Sequence, residues 1–107
     1  MLNEGMAGDT RLFPVEVVRT IRAGGDPAKF GGFPSIPGGS YSSQWWAFHN
    51  GHDAYAARGV HGQTIYVDPT AEMVLVRFAS FPRAQNSFID PTSLPAYQAV
   101  AEFLISQ

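Results

Sequence analysis

Two histidines flank an Asn-Gly pair and have an aspartate beside them, namely His49, His52 and Asp53. Facing each other across a tight hairpin, two imidazoles could reach one metal ion, with His61 or a carboxylate completing the site. Polar residues at a hairpin tip are more often only solvated. Because no spacing fixes a further ligand, the sequence favours the solvated alternative, and we expect neither a metal ion nor another cofactor.

A second group with chemical potential is the run Arg58-Gly59-Val60-His61-Gly62-Gln63. Two glycines three apart let the backbone approach a ligand closely and aim N–H groups at an anion, and Arg58 could bind a carboxylate. The same glycines suit a β-bulge or a sharp bend between strands. A lone histidine such as His61 is also more often structural than a general base. The residues alone therefore favour the bend.

Large aromatic rings cluster just before the histidines, at Tyr41, Trp45, Trp46 and Phe48. In a single strand, Trp45 and Trp46 would point to opposite faces of the sheet. Core packing is the expected role of these rings, and a tryptophan lining a substrate cleft is the alternative.

Two common routes to an activated nucleophile are missing from this sequence. There is no cysteine and only one lysine, Lys29, while Ser-x-x-Lys chemistry needs a serine three residues before the lysine, where this chain has Asp26. Nor does the nucleophile-elbow pattern Gly-x-Ser-x-Gly occur. The sequence as given holds neither a thiol nor a lysine-activated serine.

Composition excludes further classes of partner. The formal net charge is −2 and no basic block is present, which disfavours nucleic acid. No apolar run, that from Met73 to Val76 included, approaches the roughly 20 residues of a membrane span, so we expect no membrane partner. We also expect a cytoplasmic location.

The helical and loop elements are predicted as follows. The first residues, Met1 to Gly8, are typical of the end of a helix, and a short amphipathic helix follows Pro14 with Val17, Val18 and Ile21 on one face. A glycine- and proline-rich loop spans Gly24 to Ser40, pinned by Phe30, Phe33 and Ile36. After a loop from Phe81 to Pro91, Ser93 can cap a last helix that presents Tyr97, Val100, Ala101 and Leu104 on one face.

The strands lie between these helices. The Asn50-Gly51 pair predicts a two-residue hairpin turn joining strands over Tyr41–Phe48 and Ala54–Val60. A third strand covers Gln63–Val67, and the apolar run from Met73 to Ala79 is typical of a central strand covered on both faces. We therefore expect one α+β domain, residues 1–107, with about four antiparallel strands, a carboxyl-terminal helix packed on them and a short amino-terminal helix.

Several stretches together resemble a known family: Tyr41-Ser42-Ser43-Gln44-Trp45-Trp46, Ala57-Arg58-Gly59-Val60-His61-Gly62-Gln63, Tyr66-Val67-Asp68-Pro69 and Met73-Val74-Leu75-Val76-Arg77. They are similar to the carboxyl-terminal part of serine hydrolases related to class C β-lactamases and penicillin-binding proteins, above all 6-aminohexanoate-dimer hydrolases and related esterases. The resemblance implies a partial β-lactamase-like fold and an intact parent that hydrolyses a small amide or ester.

The same resemblance implies roles for individual residues. The backbone N–H of Val60, next to Gly59, would donate to an oxyanion, and Arg58, His61, Trp45 and Trp46 would lie near the substrate. The family's Ser-x-x-Lys and catalytic tyrosine lie upstream of the matched region, so this chain alone is expected to be inactive.

The alternative is a non-catalytic binding or self-assembling module that keeps the sheet of the hydrolase. In either case we expect homo-oligomers formed through exposed sheet surface.

Overall fold

The computed structural model describes residues 2–29, 38–84 and 92–107. It contains two α-helices, α1 (Val15–Ala23) and α2 (Ser93–Ile105), and two one-turn 3₁₀ helices, Pro27–Lys29 and Val60–Gly62. The strands are β1 (Met6–Ala7), β2 (Thr10–Arg11), β3 (Ser40–Ser42), β4 (Trp45–Ala47), β5 (Tyr55–Arg58), β6 (Thr64–Asp68) and β7 (Met73–Arg77). The predicted loop anchors Phe30, Phe33 and Ile36, and residues 85–91 of the loop predicted from Phe81 to Pro91, lie outside the described residues.

The main sheet is an antiparallel meander in which β3, β4, β5, β6 and β7 lie side by side in chain order. Together with α1 and α2 it confirms the α+β fold class. It has five strands where about four were expected, because Tyr41–Phe48 is not one strand. Ser43 and Gln44 both have positive φ, 54° and 68°, and turn the chain back on itself between β3 and β4.

The two helices pack against opposite faces of this sheet. Tyr97 and Ala101 of α2 share a buried cluster with Tyr66 and Met73, whereas Ile21 of α1 packs with Tyr55 and Val67. Tyr66 and Val67 are consecutive in β6, so their side chains point to opposite faces. The sheet is therefore the middle layer, and the predicted packing of the carboxyl-terminal helix is confirmed.

Strand β7 lies at the edge of the sheet, so its predicted central position is wrong. Within the described residues it pairs only with β6, and Val74 and Val76 are 47% and 55% exposed. The unbroken apolar run indicates apolar surface on both sides of the strand, but it does not require both sides to be covered by this chain.

Three local predictions also need correction. Residues 6–11 form the small β1–β2 hairpin and not a helix end, because the chain turns back between Ala7 and Thr10 at Gly8-Asp9, where Gly8 has φ 58°. The Asn50-Gly51 pair does connect two strands, but the loop is wider than two residues: Phe48 N–H bonds Ala54 O at 3.1 Å and Asp53 N–H bonds Asn50 O at 3.2 Å. In the helices, Val17 is exposed beside buried Val18 and Ile21, and Val100 and Leu104 are exposed beside buried Tyr97 and Ala101.

Candidate functional site

The candidate site is built on the turn between β5 and β6, Gly59–Gln63, which we call the site turn. Gly59 is extended, with φ −115° and ψ 170°, and the 3₁₀ helix Val60–Gly62 follows it. Gly59 N–H donates to Gln63 O at 2.8 Å, and Gln63 N–H donates to Val60 O at 3.4 Å. The glycine pair thus produces a sharp bend, the alternative that the residues alone favoured.

Val60 lies in the exposed part of the site turn. Its relative exposure is 63%, which is high for a valine. Its N–H makes no hydrogen bond within residues 2–29, 38–84 and 92–107. The Val60 N–H, which was predicted to donate to an oxyanion, therefore lies between residues whose backbone is hydrogen-bonded but makes no such bond itself in the described ranges.

His61 fastens the site turn to the chain that follows β7. Its imidazole Nδ1 donates to Phe81 O at 2.7 Å, its N–H donates to Ala84 O at 3.0 Å, and its carbonyl accepts from Phe81 N–H at 3.0 Å. A carbonyl only accepts, so Nδ1 must carry the proton in this bond. We call residues 78–84 the exit segment; His61 is its main polar attachment to the site turn.

Two side chains that the sequence analysis did not single out complete this attachment. The Gln63 side-chain amide donates to Ala79 O and accepts from Ala79 N–H at 3.2 Å. Arg77 Nε donates to Gly62 O at 2.8 Å, and the guanidinium lies 5.0 Å from the centre of the Phe81 ring. The sequence feature that could have indicated Arg77 is its position as the one charged residue at the end of the apolar strand Met73–Arg77.

Gly62 has little room for a side chain. Its φ is 92°, and a Cβ there would come within 3.1 Å of Ala79 Cβ and of the Phe81 ring. Close packing against the exit segment and the left-handed backbone both favour glycine at this position.

The other predicted substrate-binding residues are spread more widely. Arg58 is half-buried at the end of β5, directly before the site turn. Trp45 makes an edge contact with Tyr55 at 5.4 Å between ring centroids, whereas Trp46 packs on Tyr41 at 4.6 Å. These contacts agree with the expected packing role of the rings. A role for either tryptophan in binding substrate stays a prediction.

His49 and His52 lie at the opposite end of β5 and do not converge. His49 Nε2 is 2.6 Å from Ser40 Oγ, and His52 Nδ1 is 2.7 Å from Asp68 Oδ2. Asp53 is instead 3.5 Å from Arg22. No group of three or more histidine and acidic side chains arranged to hold a metal occurs in the part of the chain that the structure describes.

The helices bear on the predicted absence of a membrane partner. Neither α1 nor α2, the helices of the described ranges, is long and apolar enough to cross a membrane.

Comparison with known proteins places these features in a class. The fold is similar to that of a solved structure from Bacillus anthracis, provisionally assigned as a 6-aminohexanoate-dimer hydrolase, with a TM-score of 0.76 and 32% sequence identity. The match covers 96% of this chain and 26% of that one. The chain therefore has the fold of part of a hydrolase domain. No protein-family profile matches the sequence.

A curated relative makes the assignment specific. The chain is 35% identical over 85 residues to the 6-aminohexanoate-dimer hydrolase of Paenarthrobacter ureafaciens, a match that covers 77% of this chain and 22% of the relative. The chain thus corresponds to a carboxyl-terminal segment of the 6-aminohexanoate-dimer hydrolase family. It spans about a quarter of the length of these two relatives.

Proposed function

We propose that this chain forms one wall of the acyl-transfer site of a serine hydrolase that cleaves a small amide or ester, with the Val60 N–H as an oxyanion-hole donor. The observation that carries the proposal is the Val60 N–H, unbonded within the described residues, in an exposed residue of a turn that is held by hydrogen bonds on both sides. It lies in a chain that matches a hydrolase in sequence and in fold.

The physical requirement for such a donor is preorganisation. An N–H that already points at the developing oxyanion needs no rearrangement as the charge appears, and one such donor stabilises the transition state by about 3 kcal/mol. The hydrogen bonds from Gly59 N–H to Gln63 O and from Gln63 N–H to Val60 O hold the backbone before and after the Gly59–Val60 peptide, which carries the proposed donor. Gly59 adds close backbone access, Arg58 directly precedes the site turn, and His61 lies within it.

We further propose that the chain needs additional hydrolase polypeptide for activity. The only lysine, Lys29, has no serine three residues before it, so the Ser-x-x-Lys nucleophile must be supplied from elsewhere. The isolated chain should not react with a fluorophosphonate or turn over a p-nitrophenyl ester. Stoichiometric labelling of the isolated chain would contradict this part of the proposal.

The test of the oxyanion role is a segment swap in which this chain replaces the matching region of the Paenarthrobacter relative. In that enzyme, Val60→Pro removes the N–H, whereas Val60→Ala keeps it. Proline fits the backbone here, because Gly59 has the extended φ and ψ of a residue that precedes proline.

We expect kcat for an amide or ester substrate to fall by about 100- to 1,000-fold in Val60→Pro and to change little in Val60→Ala. Equal activity of the two variants would overturn the oxyanion role. A swapped enzyme that has native circular dichroism but no activity would overturn the proposal that this chain can form the wall of the site.

A second candidate function, self-assembly, is favoured by the exposed edge at β7. Antiparallel pairing of two copies about Leu75 would set Val74 of each copy opposite Val76 of the other, and Met73 opposite Arg77, so that no like charges face each other. We propose that this edge is where copies of the isolated chain associate.

Light scattering after size-exclusion chromatography tests this association. We expect a dimer or larger species for the wild type and a monomer for Val76→Lys, because a charge on an edge strand opposes pairing. The matched control is Val17→Lys, on an exposed valine of α1 away from the edge. A monomeric wild-type chain, or equal association of both variants, would contradict the assembly.

The cytoplasmic location of the protein stays a prediction.

A further inference from the structure

Two histidines of this chain adopt the left-handed backbone and use their imidazoles to hold it. His49 has φ 51° and His61 has φ 57°. A residue other than glycine in this region is strained, and such strain persists only where the surroundings enforce it. His49 bonds a side chain, Ser40, at the Asn50 end of β5, whereas His61 bonds the backbone of the exit segment directly beside Val60.

We propose that His61 is a positioning residue for the Val60 N–H, acting by clamping the site turn to the exit segment. The inference rests on the proposed function of Val60, and it adds a residue whose role is to hold the oxyanion donor in place.

The geometry of the clamp supports this role. All three hydrogen bonds of His61 go to the exit segment, two to Phe81 and one to Ala84. The two bonds inside the site turn, from Gly59 and from Gln63, fix its shape but not its position relative to β7. Without the imidazole bond, the strained backbone at His61 loses the side-chain contact that accompanies it. The 3₁₀ helix that begins with Val60 is then held against the exit segment and β7 only by the backbone bonds of His61 and by the Gln63 and Arg77 side chains.

The clamp also has a defined proton requirement. Nδ1 donates to the Phe81 carbonyl whether the ring is neutral or charged, since both the Nδ1–H tautomer and the imidazolium carry that proton. A positioning role therefore predicts that the pH profile of kcat keeps its shape when His61 is replaced. A general base at His61 would instead make one limb of the profile disappear.

The first experiment uses the isolated chain and does not depend on activity. Long-range ¹H–¹⁵N spectra of the imidazole should show a protonated Nδ1 at His61. Amide exchange at His61 and Phe81, whose N–H groups make the backbone bonds of the clamp, should rise by about 10-fold or more in His61→Ala, because the strained turn opens locally. His49→Ala is the matched control and should leave both amides protected as in the wild type.

A conservative variant separates loss of the bond from a general loss of stability. Asparagine tolerates the left-handed backbone and keeps a side-chain N–H donor, so His61→Asn should restore part of the protection that His61→Ala loses. An Nε2–H tautomer, or unchanged exchange in His61→Ala, would overturn the clamp itself.

The second experiment uses the swapped enzyme. We expect His61→Ala to lower kcat by about 10- to 100-fold with little change in KM, His61→Asn to recover part of the loss, and His49→Ala to have no effect. Equal losses of kcat in His61→Ala and His49→Ala would overturn the positioning role. Because the isolated-chain spectra report the clamp independently, failure of the Val60 proposal alone would appear as an intact clamp in an enzyme that Val60→Pro does not impair.

Discussion

The turns at the two ends of strand β5 both contain a histidine with positive φ, but they differ in whether their polar groups are hydrogen-bonded within the protein. At the Asn50 end, hydrogen bonds are made within the protein: the Asn50 side-chain oxygen accepts from His52 and Ala54 N–H, and Asp68, 0% exposed, accepts from His52 and Ala71. At the Gly59 end, side chains fix the backbone but leave Val60 exposed. A strained turn whose polar groups are satisfied internally is structural, whereas one that leaves a fixed donor at the surface can bind a ligand.

The largest expected effect on stability is at the Asn50 end. Asp68→Ala leaves the His52 Nδ1–H and the Ala71 N–H without their buried acceptor, so the free energy of unfolding should fall by about 3 kcal/mol. Urea denaturation measures it. In contrast, Asp53→Ala, whose carboxylate is largely exposed, should change stability by less than about 0.5 kcal/mol. Similar losses in the two variants would show that the Asn50 end is not held by Asp68.

A smaller effect is expected from the glycine that packs against the exit segment. Gly62→Ala places a Cβ within 3.1 Å of Ala79 and Phe81 at a positive φ, so we expect a loss of about 2 to 3 kcal/mol. Gly8→Ala is the matched control, because Gly8 also has a positive φ, 58°, but no atom within 4 Å of the added Cβ. It should lose only about 1 kcal/mol, the cost of the backbone conformation alone.

If thermal denaturation instead gives the same loss for both glycine variants, the contact between Gly62 and the exit segment contributes nothing. The comparison between the two ends of β5 would then rest on the hydrogen bonds of His61 and Gln63 alone.

The smallest effect at neutral pH concerns Tyr66, which lies in the core near the Asn50 end. Burial first, and the Asp68 carboxylate second, raise the pKa of Tyr66 from 10.0 to about 12. Unfolded tyrosine ionises near pH 10, so the stability due to the neutral Tyr66 is complete below pH 10 and is lost as the pH rises towards 12.

Tyr66→Phe should therefore leave stability at pH 7 within about 0.5 kcal/mol of the wild type, since the hydroxyl makes no hydrogen bond of ordinary geometry among the described residues, and should flatten the alkaline loss. Tyr55, whose pKa is also raised by burial, keeps part of the slope. Denaturation midpoints measured from pH 8 to pH 11.5 would test this, and an unchanged slope would exclude Tyr66 as its source.

Sequence patterns were informative where they reflect local backbone chemistry. Periodicity predicted α1 and α2, and the Gly59-to-Gly62 spacing predicted a bend. The turn at Ser43-Gln44 was missed because neither residue type favours the positive φ found there, and the Tyr41–Trp46 contact across the hairpin has no signal in local spacing.

Interactions between distant residues were not predictable from spacing. The edge position of β7 depends on which strands pair, and the apolar pattern of Met73–Arg77 is the same for a central strand and for an edge that another polypeptide covers. Likewise His61 meets Phe81 across 20 residues, and His52 meets Asp68 across 16, so neither bond has a local signal. The residues of the candidate site came from family resemblance, and the contacts that hold them came from the structure.

The most direct test of the central claim is the Val60 amide signal in ¹H–¹⁵N spectra of the swapped enzyme before and after inactivation with a fluorophosphonate. The phosphoryl oxygen of the labelled nucleophile occupies the position of the oxyanion, so a donor there forms a new hydrogen bond to this polarised oxygen. The account predicts that the Val60 proton moves downfield and that its exchange with solvent slows, while Gly8 is unaffected. An enzyme that is fully labelled but whose Val60 signal does not move would contradict it.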